Sequence, residues 1–94
     1  MTREVFQSPL FERQKKRLHR KEIEMLDEVI RTLSDNPHRG QEKKGDLAGV
    51  YVYKFKIKTT LFLVAYEFNE LDLLLISIGA HQQFYRDLKR YIKA

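Results

Sequence analysis

The chain has no cysteine and no tryptophan, and only four glycines and two prolines. Without cysteine there can be no disulfide, no thiolate zinc site and no thiol nucleophile. Such a chain folds without oxidation and suits a reducing cytoplasm, so a cytoplasmic protein is expected. Long apolar runs are missing too. The longest, Leu61 to Tyr66, is far too short to span a bilayer. The first residues, Met-Thr-Arg-Glu-Val-Phe, lack the apolar stretch of a signal peptide. No membrane partner is expected. There is no Gly-rich phosphate loop, no paired-carboxylate spacing and no metal-ligand spacing. The three histidines, His19, His38 and His81, are scattered. Neither a metal nor a cofactor is expected, and there are no internal repeats or low-complexity segments.

What is present is a soluble-domain composition, 43% hydrophobic and 33% charged, over 94 residues. That length makes one domain, residues 1–94, with no room for a second. A domain this short buries only about 60–65% of its unfolded surface, so stability is thin and a partner matters. The net charge is +5. Such a balance favours an anionic partner: nucleic acid, an acidic protein or a membrane surface. Charge alone does not choose among them.

The hydrophobic period changes once along the chain. Residues 2–7 read as a short strand. Ser8-Pro9 reads as a helix start, because serine caps open N–H groups and proline is tolerated in the first turn. Leu10, Phe11, Gln14 and Leu18 form a narrow stripe at helical spacing, opposite a basic face running from Arg13 to Lys21. The chain turns near His19-Arg20. Ile23, Leu26, Ile30 and Leu33 then mark a strong amphipathic helix. Asn36-Pro37 ends it, because a residue before proline resists helical geometry. Residues 38–49 read as a polar loop. From Val50 to Lys58 the period is two, with Tyr51, Tyr53, Phe55 and Ile57 on one face and Val50, Val52, Lys54, Lys56 and Lys58 on the other. A turn is expected at Thr59-Thr60, then strands over 61–68 and 71–78, with Gly79 breaking the second. A last helix is predicted over 82–92, with Phe84, Leu88 and Tyr91 or Ile92 pointing inward. The fold class is α+β: an N-terminal helical hairpin packed on a twisted, mostly antiparallel sheet, with a short C-terminal helix.

Two local features could carry chemistry. In Lys54-x-Lys56-x-Lys58, side chains at i and i+2 point the same way, so ammonium groups repeat roughly every 7 Å along the strand. That spacing is close to the rise between phosphates on one nucleic-acid strand, and such a face tracks a backbone electrostatically. The plain alternative is the solvated face of a half-buried strand, where lysines also deter edge pairing. The second feature is His81-Gln-Gln-Phe-Tyr85-Arg86, which supplies a titratable base, a phenol and a fixed cation. Cleaving a phosphodiester through a 2′-hydroxyl needs those roles: remove a proton, protonate a leaving oxygen, neutralise charge. The plain alternative is that His81 caps the helix and Tyr85 packs on the sheet.

Taken together, three stretches resemble the RelE/ParE superfamily of bacterial type II toxins. They are Gly45-Asp-Leu-Ala-Gly-Val-Tyr-Val-Tyr-Lys-Phe-Lys, Val64-Ala-Tyr-Glu-Phe, and Ile76-Ser-Ile-Gly-Ala-His-Gln-Gln-Phe-Tyr-Arg-Asp-Leu-Lys-Arg-Tyr. The resemblance covers nearly the whole chain. It implies a microbial-ribonuclease-like α+β domain. It also implies one of two activities. The RelE branch cuts mRNA in the ribosomal A site by attack of a 2′-oxygen on the neighbouring phosphate. The ParE branch poisons DNA gyrase and has no nuclease site. Both are neutralised by an acidic cognate antitoxin that wraps the toxin, and operator DNA is met only through that antitoxin.

Carried over residue by residue, the resemblance puts Lys54 and Lys56 at the phosphate-holding strand lysines. It puts Tyr85 near the C-terminal tyrosine of RelE-like cleavage, and His81 at a position where RelE has arginine, in the terminal region where some relatives use a histidine as base or acid. Arg86 is added by proximity alone. Lys58 and Arg39 are further RNA-binding candidates. Arg13, Lys16, Arg17 and Arg20 are candidates for contact with the antitoxin or with ribosomal RNA. One departure stands out. RelE-like nucleases carry Tyr-Arg-Leu-Val-Tyr on the third strand, where this chain has Phe62-Leu63-Val64-Ala65-Tyr66. A lost contact of this kind can be worth roughly 3–4 kcal/mol of transition-state stabilisation. The expectation is therefore a toxin, foremost a ribosome-dependent mRNA endonuclease. The alternatives are a gyrase poison and a weakened toxin kept as antitoxin partner and operon co-repressor.

Overall fold

The computed structural model describes residues 2–93, with the side chains of 82, 83, 91 and 93 left aside. The elements are β1 (Glu4–Gln7), α1 (Pro9–Lys16), α2 (Arg20–Asp35), β2 (Gln41–Glu42), β3 (Tyr51–Ile57), β4 (Thr60–Phe68), β5 (Asp72–Ala80) and α3 (His81–Lys93). The sheet order is β1-β5-β4-β3-β2. Only β1 and β5 pair in parallel, and the other three ladders are antiparallel.

The helical hairpin begins as the residues require. The buried Ser8 hydroxyl accepts from the Phe11 N–H at 3.0 Å and donates to the Ile76 carbonyl at 2.7 Å. It thus caps α1 and pins it to β5. At the start of α2, the main-chain N–H of His19 donates to the Glu22 carboxylate at 2.7 Å, which satisfies another open helix-end donor. Phe11, Leu26, Val29 and Leu33 pack on Phe62, Val64, Tyr66, Leu73, Leu75 and Ile78 to form the main core. Each large apolar side chain buried there contributes about 1.5–3 kcal/mol. Lys15 and Asp27 join the two helices at 3.4 Å.

The other sheet face carries a second core. Val50, Val52, Leu63, Ala65 and Ile76 lie under Phe84 and Leu88 of α3, with Leu47 closing one side. A register shift near Ala65/Tyr66 leaves Ile76 without a partner on β4. Strict alternation after Leu73 and Leu75 would send Ile78 to the α3 face. The extra residue returns it to the hairpin face, as bulges do.

Three sequence expectations need correction, and a fourth is narrowed. The loop over 38–49 contains the two-residue strand β2 and two short 3-10 turns, Pro37–Arg39 and Gly45–Leu47. The β3–β4 turn is Lys58-Thr59 rather than Thr59-Thr60, since Thr60 already pairs with Ile57. A two-residue hairpin turn needs positive φ, and Lys58 supplies it at 56° in the absence of glycine or asparagine. Gly79 does not break β5, because its neighbours stay in register with β4 and it pairs with Leu63. Ile92 is exposed, since the apolar cluster under α3 ends at Leu88. Tyr91, its alternative, falls outside the described side chains.

One polar latch closes the hairpin end of the main core. The fully buried Tyr66 hydroxyl donates to the Pro37 carbonyl at 2.6 Å and accepts from the Gly40 N–H at 2.9 Å. The backbone comes so close that a Cβ on Gly40 would run into this hydroxyl. Burial pushes the phenol up to about 12, although the Gly40 hydrogen bond opposes the rise. The folded state therefore holds this proton more tightly than the unfolded chain does. The stability it contributes is complete below pH 10 and is lost as pH rises toward 12. Tyr66→Phe is expected to cost about 1–3 kcal/mol at neutral pH, by leaving two main-chain groups unpaired. It should also flatten the fall in stability between pH 10 and 12, which urea melts across that range would show.

Candidate functional site

The β ladders fix where the strand lysines sit. Lys54 pairs with Leu63, and Leu63 pairs with Gly79, so the three form one row across β3, β4 and β5. Lys56 pairs with Leu61 in the next row outward. Adjacent strands lie about 4.8 Å apart, so the first row spans about 10 Å. Val52 and Leu63 belong to the core under α3, which puts Lys54 and Lys56, at the same parity as Val52, on the α3 face. Both lysines are exposed. On this strand face the apolar residues stop at Val52 and the lysines begin.

The end of β5 delivers the second group of residues to the same end of the sheet. α3 starts directly after Ala80, with His81 as its first residue. Thr60, Leu61, Ala80 and His81 line an open recess of about 510 Å³. Leu61 thus links the Lys56 row to His81. Tyr85 stands one helical turn on, half-buried, its ring edge-on to His81 at 6.3 Å and to Phe84 at 5.1 Å. Arg86 is exposed and lies about 100° further round the helix than Tyr85.

Among the sequence candidates, the structure puts Lys54 and Lys56 on one sheet face and brings His81 to their end of it through Leu61, while Tyr85 lies one helical turn further along α3. Lys58 leaves that face because it sits in the turn. With Lys21 and Met25 of α2 it lines a groove of about 370 Å³ that Lys56 also reaches. Arg39 lies elsewhere. Its neighbours Pro37 and Gly40 bond to Tyr66, which faces the hairpin and pairs with Tyr51 at the far end of β3. Tyr51 and Lys56 are five residues apart, or about 17 Å along the strand. Near Arg39, the Tyr51 phenol is raised by partial burial and then by Glu42, which accepts its hydrogen bond at 3.4 Å.

Arg13, Lys16, Arg17 and Arg20 are all exposed on the hairpin. Arg17 also lines a recess of about 320 Å³ with Phe84 and Asp87 of α3. One residue that the sequence did not single out touches Tyr85. The Lys43 ammonium lies over the Tyr85 ring, 5.5 Å from its centre. Lys43 comes from the polar loop after β2, where no periodicity or motif marks it. Among the described residues, no three His, Cys, Asp or Glu side chains gather as metal ligands. No described helix is long and apolar enough to cross a membrane.

Chemically, this is an open cationic surface with an imidazole and a phenol at its border. It suits an extended anion better than an enclosed small molecule. The Leu63 position is sealed: the side chain is fully buried beneath Phe84 and Leu88.

Solved structures share this arrangement of elements. The RelBE2 toxin–antitoxin complex of Mycobacterium tuberculosis matches with a TM-score of 0.76 at 15% identity, over 86% of this chain and 100% of that one. A mutant of the Escherichia coli toxin RelE in the free state matches with a TM-score of 0.76 at 13% identity, over 99% and 96%. The intact E. coli RelBE complex matches at 0.63 and 15%, over 82% and 94%. At such identities the likeness is one of fold. No curated protein sequence matches. A family model, the ParE-like toxin of type II bacterial toxin–antitoxin systems, matches residues 5–89. With that span covered and the RelE fold reproduced, the chain belongs to the RelE/ParE superfamily of type II toxins.

Proposed function

We propose that this toxin is a ribosome-dependent mRNA endonuclease. The observation that carries the reading is the exposed Lys54/Lys56 pair on a sheet face that ends at the His81 recess, with Tyr85 one helical turn beyond. In the reaction, His81 takes the proton of a ribose 2′-hydroxyl. The 2′-oxygen bonds to the adjacent phosphorus, and the bond from phosphorus to the 5′-oxygen breaks. Tyr85 gives its proton to that departing oxygen, leaving a 2′,3′-cyclic phosphate and a 5′-hydroxyl. Lys54 and Lys56 hold the phosphate and neutralise the charge that builds on it. Arg86 supplies a further cation at the border.

The partner that restrains this activity is an acidic cognate antitoxin. Two of the similar structures are toxin–antitoxin complexes. The net charge of +5 and the exposed Arg13, Lys16, Arg17 and Arg20 favour an acidic segment on the helical hairpin.

A second reading, a gyrase poison without nuclease chemistry, is favoured by one observation. Leu63 occupies the position of the RelE arginine and is buried under α3. The decisive experiment is inducible expression in a bacterial host with primer extension on a reporter mRNA. Under the nuclease reading, cuts fall within translated codons, and His81→Ala lowers them about 100-fold or more. Growth arrest with a DNA-damage response and no cuts would instead select the gyrase reading. No arrest, with operator repression intact, would leave a co-repressor that has lost its potency.

A further inference from the structure

Tyr85 is held on two sides by rings, and the third contact is a charge. The Lys43 ammonium lies 5.5 Å from the centre of the Tyr85 ring, within the range of a cation–π contact. Lys43 is half-buried, and its main chain is fixed: its N–H donates to the Val50 carbonyl at 2.8 Å, just beyond the β2–β3 ladder. Val50 belongs to the core under α3, so Lys43 approaches from the same sheet face as Lys54 and Lys56. The contact ties a loop on one edge of the sheet to a helix that starts three strands away.

Building on the nuclease reading, we infer that Lys43 is a positioning residue for Tyr85 and favours its phenolate. Its two effects have one geometric cause. An ammonium over a phenol ring fixes the ring's tilt, and with it the direction of the hydroxyl. The same charge favours the ring most when the phenol has given up its proton, which is the step assigned to Tyr85. Arginine can replace lysine here, since it also stacks over aromatic faces. Methionine keeps much of the stem's packing and removes the charge.

The test uses the full chain labelled with 3-fluorotyrosine, with the Tyr85 resonance assigned from Tyr85→Phe. Lys43→Met is expected to shift the Tyr85 fluorine resonance, while Lys43→Arg leaves it near the wild-type position. On programmed ribosomes, Lys43→Met should lower kcat for mRNA cleavage about tenfold with KM nearly unchanged, and Lys43→Arg should restore most of it. An unmoved Tyr85 resonance in Lys43→Met overturns the inference. So does a moved resonance with undiminished kcat in an active enzyme. If the wild type itself cuts no mRNA, the nuclease reading fails and takes this assignment with it. An active wild type beside an equally active Lys43→Met overturns the assignment alone.

Discussion

Lys54→Ala combined with Lys56→Ala is expected to reduce ribosome-dependent mRNA cleavage by about 100- to 1,000-fold without unfolding the protein. Removing one well-placed charge-stabilising donor typically costs about 10²–10³ in rate. Under the nuclease reading the pair acts on one phosphate, so the double variant should fall short of the product of the two single effects. Stability should change by less than about 0.5 kcal/mol, because both side chains are exposed and the ladder to β4 is made by the main chain. Primer extension reads the cleavage, and a thermal melt reads the fold. Full toxicity in a well-folded double variant would rule out a phosphate site on β3. Toxicity of that kind with a DNA-damage response would point to gyrase.

The lysine pair was legible because a strand has the simplest of all periods. Alternation from Val50 to Ile57 forces Lys54 and Lys56 onto one face wherever the strand lies. Ser8-Pro9 and Asn36-Pro37 were legible for a similar reason, since proline and a capping serine act within one turn. What escaped the sequence was set by contacts distant along the chain. β2 is two exposed residues whose strand character comes only from pairing with Tyr51 and Val52. Gly79 remains in β5 because Leu63 pairs with it, against the local tendency of glycine. The bulge at Ile76 is a property of two strands together. Lys43 meets Tyr85 only once β2 has joined β3 and α3 has folded back over the sheet. No pattern within residues 41–49 foretells it. The split between Lys54/Lys56 and Arg39 follows the same rule, because the Tyr66 latch anchors the Arg39 segment to the opposite sheet face.

The largest expected effect on stability comes from restoring the RelE pattern itself. Leu63→Arg is expected to destabilise the domain by about 3–5 kcal/mol. Leu63 is fully buried among Val52, Ala65, Ile76, Phe84 and Leu88, none of which can pair with a guanidinium. A domain of this size has roughly 5–14 kcal/mol in all, so the variant would approach the unfolding threshold. The least costly escape is for α3 to leave the sheet and let the charge reach water. Hydrogen exchange should then show α3 amides losing protection first, while β3, β4 and β5 keep theirs. Leu63→Met conserves volume and should cost less than about 1.5 kcal/mol, which separates charge from packing. The result also bears on mechanism. If Leu63→Arg melts α3 and gains no cleavage, the closed Lys54–Leu63–Gly79 row is built into this toxin's core. Under the nuclease reading, Lys54 and Lys56, with Arg86 at the border, must then carry the phosphate charge without an arginine in that row. If the variant stays folded and cleaves faster, α3 yields readily, and the row beneath it can serve as part of the active surface.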